Sequence, residues 1–163
     1  MDEHILANYA KSFRGKLYQR ALGSDIPLRL SHRDDKFTWQ IPPEDDWLQA
    51  GGRKESPVMD FRFDSRTEDR LHYHISIASE AGIKKLGVSR NGYLGFYLHA
   101  KVTDYWKIEP LHLSAEGLLC HLRDQRGYRV GAIPDGPHRS GDKVDLLNVD
   151  EGQIVTFLLK PTN

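Results

Sequence analysis

The first twenty residues place apolar side chains at a helical interval. Four of them follow one another at steps of four along the chain: Ile5, Tyr9, Phe13 and Leu17. Asp2 suits the N-cap and Gly23 suits the position just after a helix end. This pattern predicts a helix over residues 2–22, within an N-terminal helical extension of residues 1–25. The same residues also allow residues 13–22 to be a strand, and their spacing leaves that alternative open.

From Ile26 onward the helical interval disappears, and short alternating segments lie between clusters of Gly, Pro, Asp and Asn. Three of these segments end alike. The segments at residues 105–111 (YWKIEPL) and 155–161 (VTFLLKP) can be aligned at an offset of 51, and residues 59–65 (MDFRFDS) share their alternation. Phe61, Trp106 and Phe157 then occupy one position at offsets of 45 and 51 residues. An offset of that size corresponds to one supersecondary unit, so the alternation predicts a threefold repeat.

Each predicted unit contains four strands. A hairpin with a polar turn opens each unit, and the turns fall at residues 34–35, 80–82 and 124–127. A third strand follows at residues 46–50, 91–97 and 143–149, and the shared ending supplies the fourth. The predicted repeats cover residues 26–66, 67–114 and 115–163. Twelve short strands in three units close most economically as a six-stranded barrel capped by three hairpins.

This pattern resembles the β-trefoil superfamily, which includes ricin-B-like lectins, fascin modules and Kunitz-type inhibitors of the soybean class. Residues 91–97 (NGYLGFY) and 104–111 (DYWKIEPL) carry the resemblance best, and it extends over about residues 26–163. It implies an all-β fold, a β-trefoil of three four-strand repeats behind a short N-terminal α-helix. The Gln-x-Trp triplet of the ricin-B pattern is missing from all three copies, with residues 104–106 in the comparable place of the second copy only.

Composition narrows the function classes. The 163 residues carry 23 Lys and Arg against 23 Asp and Glu, so no net positive charge attracts nucleic acid. Cys120 is the single cysteine, which excludes an intrachain disulfide and suits a reducing compartment. The acidic N-terminus lacks the apolar region of a signal peptide, and no run of about 18 apolar residues exists. We therefore expect a cytoplasmic protein as synthesised, with leaderless export as an alternative, and no membrane span.

The candidate catalytic and metal-binding groups are sparse. His72 and His74 lie two residues apart on one strand face, but no Cys or carboxylate pair at a helpful spacing completes a metal site. Cys120 and His121 are adjacent, so they point to opposite faces of a strand and cannot form a thiol–imidazole pair. No glycine-bearing loop has the spacing of a phosphate-binding loop. We expect no metal, no cofactor and no enzymatic activity.

The third strands carry the residues that best suit ligand recognition. An aromatic ring can stack on the apolar face of a sugar while a neighbouring carboxylate or amide bonds to its hydroxyls. The candidate carbohydrate-binding residues are Asp46, Trp47, Asn91, Tyr93, Asp145 and Asn148. Packing of Trp47 and Tyr93 inside the fold is the competing interpretation, whereas Trp39, Trp106 and Phe157 are expected to be core residues.

Two functions follow from these patterns. The first is a non-enzymatic, lectin-like module that binds carbohydrate, with a site in one repeat because the candidate ligand positions differ between copies. The second is a protein-binding trefoil, such as a protease inhibitor, an immunity or adaptor protein, or a fascin-like module. Its contact would be the long polar loop at residues 134–142.

Overall fold

The computed structural model describes residues 1–31, 46–98, 105–135 and 144–162. Apart from one helix, α1 (Glu3–Tyr9), the described chain is all-β, which confirms the predicted class. Its strands are β1 (Phe13–Ala21), β2 (Ser24–Leu30), β3 (Asp46–Gly51), β4 (Met59–Arg66), β5 (Leu71–Ser79), β6 (Gly82–Val88), β7 (Leu94–Tyr97), β8 (Trp106–Leu113), β9 (Leu118–Arg123), β10 (Gly131–Asp135), β11 (Val144–Asn148), β12 (Gln153–Ile154) and β13 (Phe157–Thr162). The predicted turn at residues 34–35, Trp39, Asp104 and most of the predicted 134–142 loop lie outside the described residues.

Helix α1 is short, and hydrogen bonds hold both of its ends. The Asp2 carboxylate accepts a hydrogen bond from the backbone N–H of His4 at 2.7 Å, as expected of an N-cap. The buried side chains of Ile5 and Tyr9 anchor the helix on the core. At the other end, the Tyr73 hydroxyl donates to the carbonyl oxygen of Tyr9. The helix therefore stops where the chain enters the sheet.

Residues 13–21 form strand β1, so the predicted helix is wrong beyond Tyr9 and the alternative strand interpretation is confirmed. An interval of four fits a strand as well as a helix, since it is a multiple of two. Gly15 allows close approach of the neighbouring strand, because a Cβ there would lie 2.8 Å from the carbonyl oxygen of Lys160. Gly23, with φ of 76°, lies in the β1–β2 turn rather than at a helix end. Residues 13–25 thus belong to the sheet and not to a helical extension.

Six strands are hydrogen-bonded in a closed ring. Strand β1 pairs with β4, β4 with β5, β5 with β8, β8 with β9, β9 with β13, and β13 with β1 again, all antiparallel. Because the pairings return to their start, each of these strands has a neighbour on both sides. Closure of this kind removes exposed strand edges. Strand β1 closes the ring, since it pairs with both β4 and β13.

The other long strands form antiparallel pairs outside the ring: β2 with β3, β6 with β7, and β10 with β11. Strand β3 also pairs with both β7 and β11, so the three pairs meet at β3. We call this meeting point the cap. An isolated bridge between Tyr93 and Asn148 joins the second and third pairs there. Because all three predicted third strands converge on the cap, it brings their candidate side chains close together.

The core fills the ring with large apolar side chains. Phe61, Trp106 and Phe157, which the offsets along the chain place at equivalent positions, are all buried. The Trp106 indole N–H donates to the carbonyl oxygen of Leu86 at 3.0 Å, so its one polar atom is satisfied. Cys120 is also fully buried. The expectation that Trp106 and Phe157 are core residues is confirmed.

Candidate functional site

The cap holds Trp47 and Tyr93 against each other. Their rings stack with centroids 5.1 Å apart and planes 7° from parallel. Trp47 lies on β3, where it is paired with Gly95, and Tyr93 is held by the bridge to Asn148. The contacting face of each ring is therefore covered by the other ring and is closed to a ligand.

Asn148 organises the backbone of the cap. Its side chain is 1% exposed, and its amide nitrogen donates to the carbonyl oxygen of Asn91 at 3.1 Å. Its amide oxygen accepts from the backbone N–H groups of Asp150 and Glu151 at 2.7 and 2.9 Å. Since this side chain bonds three backbone groups, it fixes two turns at once. Asn91 contributes its carbonyl oxygen, while its own side chain is exposed.

The two predicted aspartates are engaged within the protein. The carboxylate of Asp46 lies 3.3 Å from the Lys54 ammonium and 3.2 Å from the Lys84 ammonium. The carboxylate of Asp145 accepts a hydrogen bond from the Gln19 amide at 2.9 Å. The side chains of Asp46 and Asp145, like the stacked rings of Trp47 and Tyr93, are thus in contact with other residues of the protein. Sugar binding at these positions stays a prediction.

A second concave surface lies beside the β9–β10 connection, and we call it the Tyr128 groove. It has a volume of about 500 Å³. One wall comes from residues 127–131 and the other from residues 149–154. Tyr128 and Ile154 stand across it with 51% and 53% of their surfaces exposed. Exposed apolar rings and chains in a concave surface are typical of contact sites.

A compact turn sets the position of the Tyr128 ring. The Asp124 carboxylate accepts a hydrogen bond from the backbone N–H of Tyr128 at 2.9 Å, and the backbone N–H of Gly127 donates to the Asp124 carbonyl at the same distance. This confirms the predicted turn at residues 124–127. The Arg126 guanidinium also pairs with Asp124 at 2.8 Å and lies 4.2 Å from the centre of the Tyr128 ring. A cation over one ring face restrains the ring.

Polar groups of both signs surround the ring. Asp150 and Glu151 supply carboxylates from one wall, and Arg129 supplies a guanidinium from the other. Asp150 lies 3.4 Å from Arg126, so part of its charge is compensated. The groove therefore combines an aromatic surface with hydrogen-bond acceptors and a donor, without a strong net charge.

Tyr128 lies outside the third strands, so it is not among the residues that the sequence pattern predicts for a ligand site. Tyr128 lies instead at the end of a first hairpin turn, in the segment Arg-Gly-Tyr-Arg. A large aromatic residue is uncommon beside a tight turn, since turns favour Gly, Asn, Asp, Pro and Ser. The aromatic residue beside the turn is therefore the feature of the sequence that points to Tyr128.

A partly buried charge network lies beside the groove, centred on Glu109. Its carboxylate accepts from the guanidinium of Arg123 at 2.9 Å and is 3.0 Å from the ring nitrogen of His121. Arg70 lies 3.7 Å away. Burial alone raises the pKa of Glu109, but the bonds from His121 and Arg123 and the charges of Arg123 and Arg70 outweigh it, so the pKa is lowered.

This network predicts acid sensitivity. A carboxyl whose pKa is lower in the folded state stabilises the fold above its usual value of 4.5 and loses that contribution as pH falls through the folded pKa. We expect Glu109→Gln to lower the free energy of unfolding by about 1–3 kcal/mol at pH 7, because the guanidinium partners lose a charged acceptor. Urea unfolding of both proteins between pH 7 and pH 3 measures the difference, which should shrink below about pH 4 as the wild-type carboxyl becomes protonated. A difference that stays constant over this range would contradict the assignment.

The histidine and cysteine candidates lie apart from the groove. His72 is buried with its Nδ1 3.0 Å from the Ser65 hydroxyl, and burial, followed by the charge of Lys107, lowers its pKa. His74 points instead to the Asp64 carboxylate at 3.1 Å. Among the residues that the structure describes, no three His, Cys, Asp or Glu side chains are arranged to hold a metal ion. Burial raises the pKa of the Cys120 thiol to about 12, which disfavours a thiolate.

No family model, curated protein or solved structure matches this chain. Over the described ranges, no helix has the length and apolar character needed to cross a membrane.

Proposed function

We propose that this chain is a β-trefoil and a non-enzymatic, carbohydrate-binding module. Three features support the trefoil: the closed ring of six strands, the three strand pairs that meet in the cap, and the buried residues Phe61, Trp106 and Phe157 at recurring positions. A fold does not by itself imply an activity. The proposed activity therefore depends on the geometry of one surface site.

The half-exposed ring of Tyr128 in its groove is the observation that carries the carbohydrate proposal. Sugar recognition needs an apolar face for the C–H side of the ring and polar groups at its edge for the hydroxyls. Tyr128 and Ile154 supply the first, and Glu151, Asp150 and Arg129 supply the second. The cap offers a ligand less aromatic surface, because the stacked faces of Trp47 and Tyr93 cover each other.

A glycan array probed with wild-type protein and Tyr128→Ala tests this proposal. We expect binding to at least one glycan and a loss of about tenfold or more in affinity in the variant, equal to ~1.4 kcal/mol, because the aromatic contact surface is removed. Affinities of the best glycan are measured by titration calorimetry.

Two further variants locate the site. Tyr18→Ala is the matched control, since Tyr18 also has a cation near its ring, the Lys160 ammonium at 4.8 Å, but lies on β1 away from the groove. It should bind like the wild type. Tyr93→Ala tests the cap. If Tyr93→Ala loses affinity and Tyr128→Ala keeps it, glycan binding in the Tyr128 groove is refuted, and the site predicted on the third strands is supported instead.

A further inference from the structure

A second cavity opens on the outer face of strands β4, β5 and β6, and it shares no residue with the Tyr128 groove. Its volume is about 380 Å³, large enough for a small organic molecule. We call it the Arg62 pocket. It is lined by Asp60, Arg62, His74, Ile75, Ser76, Ile83, Lys85 and Leu86. The register across the sheet explains why the polar residues of this lining share one face. Arg62 lies opposite His74, and Ser76 lies opposite both Asp60 and Lys85.

Two cations of the pocket have no ion-pair partner among the residues that the structure describes. Within residues 1–31, 46–98, 105–135 and 144–162, neither Arg62 nor Lys85 has a carboxylate within ion-pair distance. The carboxylates nearby are engaged elsewhere, since Asp60 pairs with Arg14 at 3.2 Å and His74 with Asp64 at 3.1 Å. The pocket therefore carries more positive than negative charge, because the Asp60 carboxylate in its lining is paired with Arg14 outside it.

The two cations lie on either side of the central strand β5. Neighbouring strands are roughly 5 Å apart, so the strands that carry Arg62 and Lys85 are separated by roughly 10 Å. Both side chains are long enough to reach one anionic group placed above β5. Ser76 lies on β5 between them, and its hydroxyl makes no hydrogen bond to another described residue. Three donors thus surround one position.

The rest of the pocket is apolar. Ile75 and Leu86 are buried beneath it, while Ile83 is 65% exposed at its rim. A free inorganic anion would satisfy the cations but leave this apolar surface in water. An anionic head on an apolar body would use both parts, because apolar burial and charge-assisted hydrogen bonds then contribute together.

We propose that the Arg62 pocket binds a small organic anion, with a carboxylate or sulfonate head between Arg62, Ser76 and Lys85 and an apolar body against Ile83. This site is separate from the proposed carbohydrate site and does not depend on it. The anionic head of the ligand would pair with Arg62 and Lys85, and its apolar body would cover the exposed side chain of Ile83.

Three probes separate the two parts of the proposed ligand. 8-Anilinonaphthalene-1-sulfonate carries head and body, N-phenyl-1-naphthylamine carries the same body without the charge, and inorganic sulfate carries the charge alone. Fluorescence titration of the folded wild type should show binding of the sulfonate at least about tenfold tighter than of the neutral amine, the scale of a charge-assisted hydrogen bond. Sulfate should compete only weakly.

Variants test the residues. Arg62→Gln/Lys85→Gln should weaken sulfonate binding by at least about tenfold and leave binding of the neutral amine unchanged. Ile83→Ser should weaken sulfonate binding by about fivefold. Arg66→Gln is the matched control, because it removes an exposed arginine from the same strand outside the pocket, and it should bind like the wild type. Melting temperatures check that each variant is folded.

Three results would overturn the inference. The first is unchanged sulfonate affinity in the double variant, and the second is equal affinity of the wild type for the charged and neutral probes. The third is no binding of the sulfonate up to about 1 mM.

Discussion

Replacing Phe61 with alanine is expected to lower the free energy of unfolding by about 3–5 kcal/mol. Phe61 is 1% exposed and lies where β1 and β4 join in the ring. Its ring stacks on Phe13 at 4.9 Å and meets Tyr73 edge-on at 5.8 Å. Truncation leaves a cavity beside two aromatic rings and removes favourable aromatic contacts.

Urea unfolding followed by circular dichroism measures this effect. Domains of this kind have a total stability of about 5–15 kcal/mol, so the alanine variant can be partly unfolded. Phe61→Leu keeps the experiment informative, because it retains most of the buried volume and should lose only about 1–1.5 kcal/mol. A loss below about 1 kcal/mol in Phe61→Ala would show that β1 is not packed against β4 as described.

Replacing Asn148 with alanine is expected to cost about 2–4 kcal/mol of stability. The substitution leaves the backbone N–H groups of Asp150 and Glu151 and the carbonyl of Asn91 without their partner. The Asn148 position is buried, so water replaces these bonds poorly. Thermal and urea unfolding measure the loss.

Asn91→Ala is the matched control for this prediction. It removes the same side chain from an exposed position, and the Asn91 backbone carbonyl that Asn148 bonds is unchanged. Its stability should stay within about 0.5 kcal/mol of the wild type. If the two variants lose equal stability, Asn148 does not organise the cap. If Asn148→Ala is stable but loses glycan binding, Asn148 belongs to a ligand site as the sequence predicts.

The ring strands β4, β8 and β9 could be predicted from the sequence because they bury alternate apolar residues on one face. The shared endings with Phe61 and Trp106 lie in such strands, whereas β13 buries three apolar residues in succession, from Phe157 to Leu159. Strand β1 was harder to predict from the sequence. It turns the polar Gln19 and the small Gly15 inward, so only Phe13 and Leu17 mark its buried face, and their interval of four also fits a helix.

The candidate site was harder to predict than the fold. The third strands do converge, which brings Trp47 to Tyr93 and Asn91 to Asn148. Sequence cannot show that these groups bond to one another rather than to a ligand, since that depends on facing distances across strands far apart in the chain. The groove around Tyr128 likewise needs a second wall from residues 149–154, which are distant from it in the sequence.

Binding of a ligand in the Tyr128 groove can be tested by titrating ¹⁵N-labelled protein with the best array glycan and following its amide chemical shifts. We predict shifts concentrated at Gly127, Gly131 and Gly152, which belong to the walls of the groove. The indole N–H signal of Trp47 in the cap should stay unchanged. Shifts centred on Trp47 and Asn91, or no shifts at millimolar glycan, would contradict binding in the groove.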